Sequence, residues 1–271
     1  MEAPLTIPLI DAHAHLADER LEMFRGTMAL ACAKHHVTHV LINAALPEEW
    51  PVVVQLSRQT PFYGALGLHP FFPEHWSKDL LAHLRETIAN APENSKIVAI
   101  GEIGLDAWNS REHFDIQREQ FCRQLELAVE LKLPVALHNR KTWSDFFEIV
   151  KAHGIRRLRG YCHHFTGSPE VLEKLLSLGL LVSFCGPATH PNARRIHEAI
   201  RVAPPECILT ETDCPDLPPI QANSKESRPW HTRFVLNTIA QLKQIPEADL
   251  ALRIQTNFKQ LFIKTEENET P

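Results

Sequence analysis

Ile7-Pro8-Leu9-Ile10-Asp11-Ala12-His13-Ala14-His15 is an apolar run of strand length that closes on an acid and two histidines one residue apart. Side chains alternate along extended backbone, so His13 and His15 point to one side and both imidazoles can reach a single ion. An isolated pair of this kind is most often two packed or surface histidines. Its meaning depends on what ends the other apolar runs.

Seven further runs follow: Val37–Ile42, Phe62–Leu68, Ile97–Glu102, Pro134–Leu137, Leu158–Cys162, Leu180–Phe184 and Ile208–Glu211, after a first strand over Ile7–Ala12. Helix-length segments separate them, and alternating strand and helix predicts a parallel sheet. The helical period is plainest in Phe121, Leu125, Ala128 and Leu131. Pro134 and Gly179 read as helix stops. Eight such units predict an α/β fold, a single-domain (β/α)8 TIM barrel, in preference to an open doubly wound sheet. Helices are expected over Thr232–Gln244 and Glu247–Ile263, a long surface loop over Cys214–Pro229, the barrel over residues 1–264 and a disordered acidic tail over 265–271.

At 271 residues, 44% of them hydrophobic and 23% charged, the chain has enough apolar material for one large core. Its longest apolar stretches, Ile97–Ile100 and Leu178–Phe184, are too short to cross a bilayer, and no basic region leads into a signal-peptide core. A cytoplasmic protein with no membrane partner and no obligate protein partner is expected. The six cysteines include no CxxC pair, as suits reduced thiols. A formal charge of −5 argues against coating nucleic acid non-specifically, although bound divalent ions would add positive charge where a substrate sits.

The polar residues that end the strands carry the chemistry, because the C-terminal ends of barrel strands form the active face. Beyond His13 and His15, these are His69 after strand three, Glu102 after strand four, His138 after strand five, His163-His164 after strand six and Asp213 after strand eight. Each has an innocent reading as a turn residue, a strand end or a helix cap; coincidence at successive strand ends does not. Imidazoles mixed with carboxylates suit borderline metals such as zinc or manganese, with magnesium possible. Glu102 is placed to bridge two ions about 3.5–4 Å apart, and Asp213 to hold one ion and accept a proton from water. Alternation sends one of His163 and His164 to the barrel mouth and the other to the outer layer, without choosing between them. The remaining histidines, His39 among them, are read as ordinary surface residues.

Taken together, Asp11-Ala12-His13-Ala14-His15, Gly67-Leu68-His69-Pro70, Gly101-Glu102-Ile103-Gly104-Leu105-Asp106, Gln117 with Phe121 and Gln124, His138-Asn139-Arg140, His163-His164-Phe165-Thr166-Gly167, Glu211-Thr212-Asp213-Cys214-Pro215 and Asn257 resemble the TatD family of metal-dependent deoxyribonucleases over nearly the whole chain. The resemblance selects His163 over His164 as a ligand. It implies one metal on His13, His15, Glu102 and Asp213, a second on Glu102, His138 and His163, catalytic roles for Asp213 and Glu102, and phosphate contacts from His69 and Arg140. Two departures bear on substrate: Ala107-Trp108 where an aromatic directly follows the acidic motif in relatives, and Ser227-Arg228-Pro229-Trp230 in a turn that is otherwise Asn-Glu-Pro or Asn-Arg-Pro.

The implied function is a hydrolase with two divalent metal ions (Mg, Mn or Zn) that cleaves phosphodiester bonds, a 3′-5′ deoxyribonuclease acting on single-stranded DNA or 3′ ends through a metal-bridging hydroxide. The alternative is a metal-dependent amide, ester or aminoacyl-tRNA hydrolase using the same chemistry; Glu102 in place of a bridging lysine favours the first. Loss of Glu102 is expected to abolish turnover but spare the fold, on the premise that the site lies on an exposed rim.

Overall fold

The structure is a computed structural model and describes residues 7–263. The tail expected over 265–271 lies outside the described residues. Eight parallel strands follow one another around the sheet in chain order: β1 (Leu9–Ala14), β2 (Val37–Asn43), β3 (Phe62–Leu66), β4 (Ile97–Asp106), β5 (Val135–Arg140), β6 (Gly160–Cys162), β7 (Leu180–Phe184) and β8 (Ile208–Thr210). Helices cross between them: α1 (Glu22–Lys34), α2 (Trp50–Leu56), α3 (Lys78–Ala89), α4 (Phe114–Leu131), α5 (Trp143–Ala152), α6 (Pro169–Ser177) and α7 (Arg194–Val202), with α8 (Thr232–Lys243) and α9 (Glu247–Phe262) completing the outer ring. This is the TIM-barrel architecture.

The barrel closes where β8 meets β1, and polar groups make the seam. Thr210 Oγ1 donates to Ile10 O at 2.8 Å, His15 N to Cys214 O at 2.7 Å and Asp213 N to His13 O at 2.9 Å. The buried Asp11 carboxylate accepts from Thr212 N at 2.8 Å and Thr212 Oγ1 at 2.6 Å. Two residues that flank site positions therefore hold the first and last strands in register.

Strand ends differ from the sequence reading where backbone pairing, rather than apolarity, sets them. β4 runs four residues past Glu102 because Gly104 pairs His138 and Asp106 pairs Arg140, and β5 lengthens with it. A Cβ on Gly104, whose φ is +151°, would meet His138 O at 1.9 Å, so only glycine allows this close approach. α4 ends on Lys132 in the left-handed region, two residues before Pro134. His39, read as a surface histidine, instead lies in β2, buried, with its ring stacked on Tyr63 and tilted against Phe258 of α9.

Among the described residues, no helix is long and apolar enough to cross a membrane.

Candidate metal centre

Glu102 is the hub. Its Oε2 lies 3.1 Å from His13 Nε2 and 3.4 Å from His15 Nε2, while Asp213 Oδ1 lies 3.8 Å and 3.3 Å from the same two nitrogens. Its Oε1 faces the other way, 2.8 Å from His138 Nδ1, 2.9 Å from His163 Nε2 and 3.3 Å from His69 Nε2. The rings of His13, His15, His69, His138 and His163 thus converge on one carboxylate, with Asp213 beside the first two.

The outer nitrogens of the rings decide which inner nitrogens carry lone pairs. Tyr161 Oη donates to Ala12 O at 2.7 Å and therefore accepts from His13 Nδ1–H at 2.8 Å. His15 Nδ1–H donates to Asn43 O at 3.0 Å, and His138 Nε2–H to Asp106 Oδ2 at 2.7 Å. His163 Nδ1 has Glu211 Oε1 3.6 Å away on its outer side. In the neutral rings His13 Nε2, His15 Nε2 and His138 Nδ1 are then unprotonated, three lone pairs aimed at the oxygens of a carboxylate, and His163 turns Nε2 on the same group at 2.9 Å. Acceptor against acceptor at this range is repulsive unless positive charge lies between. The separations also bracket the roughly 3.4 Å edge of a tetrahedron built from 2.1 Å metal bonds. The donor set fits divalent metal.

His69 is different. Its Nδ1 accepts from Phe71 N–H at 3.0 Å, so the nitrogen turned toward Glu102 bears the proton. Although it forms a compact triad with Glu102 and His138, it presents a donor to the centre. Burial pushes its pKa down to about 4, which keeps the ring neutral.

Burial alone would neutralise the carboxylates, but the surrounding histidines overcome it. Glu102 is held well below the ordinary range by His163, His69 and His13, and Asp213 is lowered by His15, His163 and His13. Conversely His15 is raised, against burial, by Asp213 and Glu102, and His138 by Asp106 and Glu102. The carboxylates raise the affinity of these rings for positive charge, proton or metal alike.

Three expectations need correction. The centre does not lie on an exposed rim: Glu102 is 1% exposed and His13 0%, at the bottom of the mouth, because the loops after the strands rise above it. His164 is not sent to the outer layer; the strand ends at Cys162, and at φ +43° alternation no longer applies, so His164 also lines the mouth. The turn over residues 227–230 does not line the mouth; it packs on α1 and the residue that caps it, with Trp230 stacked on His35 and Arg228 over Phe24. Arg140 is exposed at the mouth and stands over the Trp108 ring at 3.9 Å.

Asp106 stands in the acidic motif of strand four without a role that the motif assigns, and Tyr161 carries no motif. Asp106 and Tyr161 were legible in principle, since each lies an even number of residues from a ligand on its strand, four after Glu102 and two before His163. The Asn43 contribution is a backbone carbonyl, which leaves no signal in residue type.

A TIM barrel whose mouth holds histidines and acids around a shared glutamate defines the class of metal-dependent barrel hydrolases. The family described as TatD related DNase matches residues 10–263, and the chain belongs to that family. It is 33% identical over 255 residues to the metal-dependent hydrolase YabD of Bacillus subtilis, covering 94% of this chain and 98% of that one. The crystal structure of the TatD homolog YjjV from Escherichia coli superposes with a TM-score of 0.88 at 29% identity, covering 96% of this chain and all of the other. The human 3′-5′ RNA nuclease TATDN2 is 32% identical over 203 residues, 74% of this chain and 26% of that protein. The protein is a TatD-family metal-dependent hydrolase.

Proposed function

We propose that this protein is a divalent-metal-dependent phosphodiesterase that removes nucleotides from the 3′ end of DNA. The observation that carries the reading is the set of four imidazole nitrogens, of His13, His15, His138 and His163, turned on the two oxygens of Glu102. His13, His15, Asp213 and Glu102 would hold one ion, and His138, His163 and Glu102 a second. The family's description and the name of the human relative support nucleic acid as substrate and the direction of attack.

When bound, the ions lower the pKa of water and offset charge on the phosphoryl oxygens. The chain's residues do the rest. Asp213, kept ionised and 14% exposed at the mouth, accepts the proton of the attacking water. His69, held neutral, donates Nε2–H to a non-bridging oxygen. Arg140 supplies a guanidinium beside it.

The test is cleavage of 5′-labelled single-stranded DNA, with an RNA of the same sequence alongside, in magnesium or manganese against EDTA and Glu102→Gln controls. Metal-dependent shortening lost in both controls is expected. Intact oligonucleotides in a protein that binds two ions would overturn the substrate and leave amide, ester and aminoacyl substrates to be tried.

A further inference from the structure

The two halves of the mouth carry opposite charge. Loops after β8, β1, β2 and β3 line a cavity of about 950 Å³ that includes Asp18, Glu19, Glu48, Glu49 and Asp216. Its cation Arg20 is already taken by Asp18 Oδ2 at 2.7 Å and Asp216 Oδ2 at 2.8 Å. Segments following β4 to β7 line a second cavity of about 600 Å³, which bears Arg140, Lys141 and Arg195 and no carboxylate. Among the described residues none of these three cations forms an ion pair. The cavities meet at His138, His163, His164 and Arg140, directly over the centre.

The second lobe is equipped beyond its charge. Half-exposed Trp108 has the Arg140 guanidinium carbon and Lys141 Nζ each 3.9 Å from its ring centre, so both cations are held at the lobe's entrance. Asn139 Oδ1 accepts from Thr142 Oγ1 at 2.8 Å, and its buried Nδ2, behind the wall of this lobe, has no partner. The first lobe offers an apolar wall instead: Leu46, Val52 and Phe71, the last half-exposed and edge-on to His69.

A nucleic-acid strand carries one negative charge per residue. With the scissile phosphate over Glu102, the next phosphate must lie in one lobe or the other, and a phosphate brought against carboxylates is repelled. We propose that the strand enters through the lobe of Arg140, Lys141 and Arg195, and that the acidic lobe accepts only the last residue, with its base against Phe71 and an uncharged terminal hydroxyl. A terminal phosphate is therefore excluded, and attack within a strand is disfavoured because the acidic lobe would have to take a second phosphate. This rests on the nuclease reading and adds the chemistry of the end that the enzyme accepts.

The experiment uses 5′-labelled ten-residue DNA ending in a 3′-hydroxyl or a 3′-phosphate, and a thymidine dinucleotide with a single phosphodiester, each with manganese. The hydroxyl end is expected to be cut at least about 10-fold more efficiently. In the exposed pair of changes Glu19→Lys with Glu48→Lys, that preference falls below about threefold through faster cutting of the phosphate end. Arg195→Glu raises KM for the ten-residue strand more than for the dinucleotide, and the salt dependence of KM for the longer substrate becomes shallower because a phosphate contact is lost. Equal rates on the two ends, or a preference that survives both lysines unchanged, would overturn the assignment while leaving a nuclease. Failure to cut the dinucleotide as well as both strands would overturn the nuclease reading and this inference together.

Discussion

His69 and His138 stand 3.2 Å apart and both turn a nitrogen toward Glu102 Oε1, yet a single backbone contact separates their chemistry. The Phe71 amide fixes His69 as a donor, whereas Asp106 fixes His138 as an acceptor. His69→Ala is therefore expected to keep its metal content by elemental analysis while kcat on a phosphodiester falls about 10²-fold, as for loss of one transition-state donor. Metal loss in that variant would place His69 among the ligands. Asp106→Asn tests the opposite side of the pair. The amide can still take the position, but it no longer supports charge on the His138 ring, and second metal affinity measured by titration calorimetry should weaken about 10- to 100-fold.

At the level of elements, α4 supports the site through three buried glutamines. Gln124 accepts from Leu68 N at 2.7 Å and returns a bond to Leu68 O at 3.1 Å, Gln120 reaches His69 O, and Gln117 accepts from Asp106 N at 2.9 Å. β3 ends at Leu66, so without these bonds the peptide that carries His69 would have buried polar groups and no ladder to satisfy them. Gln124→Ala should cost about 1–3 kcal/mol in urea unfolding, the penalty of a buried donor left unmet. It should also lower kcat more than it raises KM, because His69 loses its support. A stability change with kcat intact would limit α4 to a structural role. The apolar period of α4 was readable from Phe121, Leu125 and Ala128; that its polar residues face inward was not, since helical spacing tells which residues share a face but not what backbone that face meets.

Over the whole molecule, acid sensitivity has a source away from the centre. Burial, together with Lys259 and Lys96, lowers the pKa of His39 to about 4. The unfolded chain takes up this proton near 6.5 and the folded chain only near 4, so unfolding binds a proton in that window and stability is lost as pH falls from 6.5 toward 4. His39→Gln should flatten the fall in Tm between pH 7 and pH 4.5; an unchanged slope would assign it to other groups. The sequence by itself favoured the barrel over an open doubly wound sheet, because eight apolar runs recur at helix-length spacing, and it placed His13, His15, His69, Glu102, His138, His163 and Asp213 at the strand ends. Tertiary structure alone decided how deeply Glu102 lies, which nitrogen of each imidazole bears the proton, and that His164 shares the mouth. Those properties depend on backbone atoms and on φ angles brought together from distant loops, such as Asn43 O on His15 and Phe71 N on His69, and residue identity does not encode which carbonyl or amide a ring will meet.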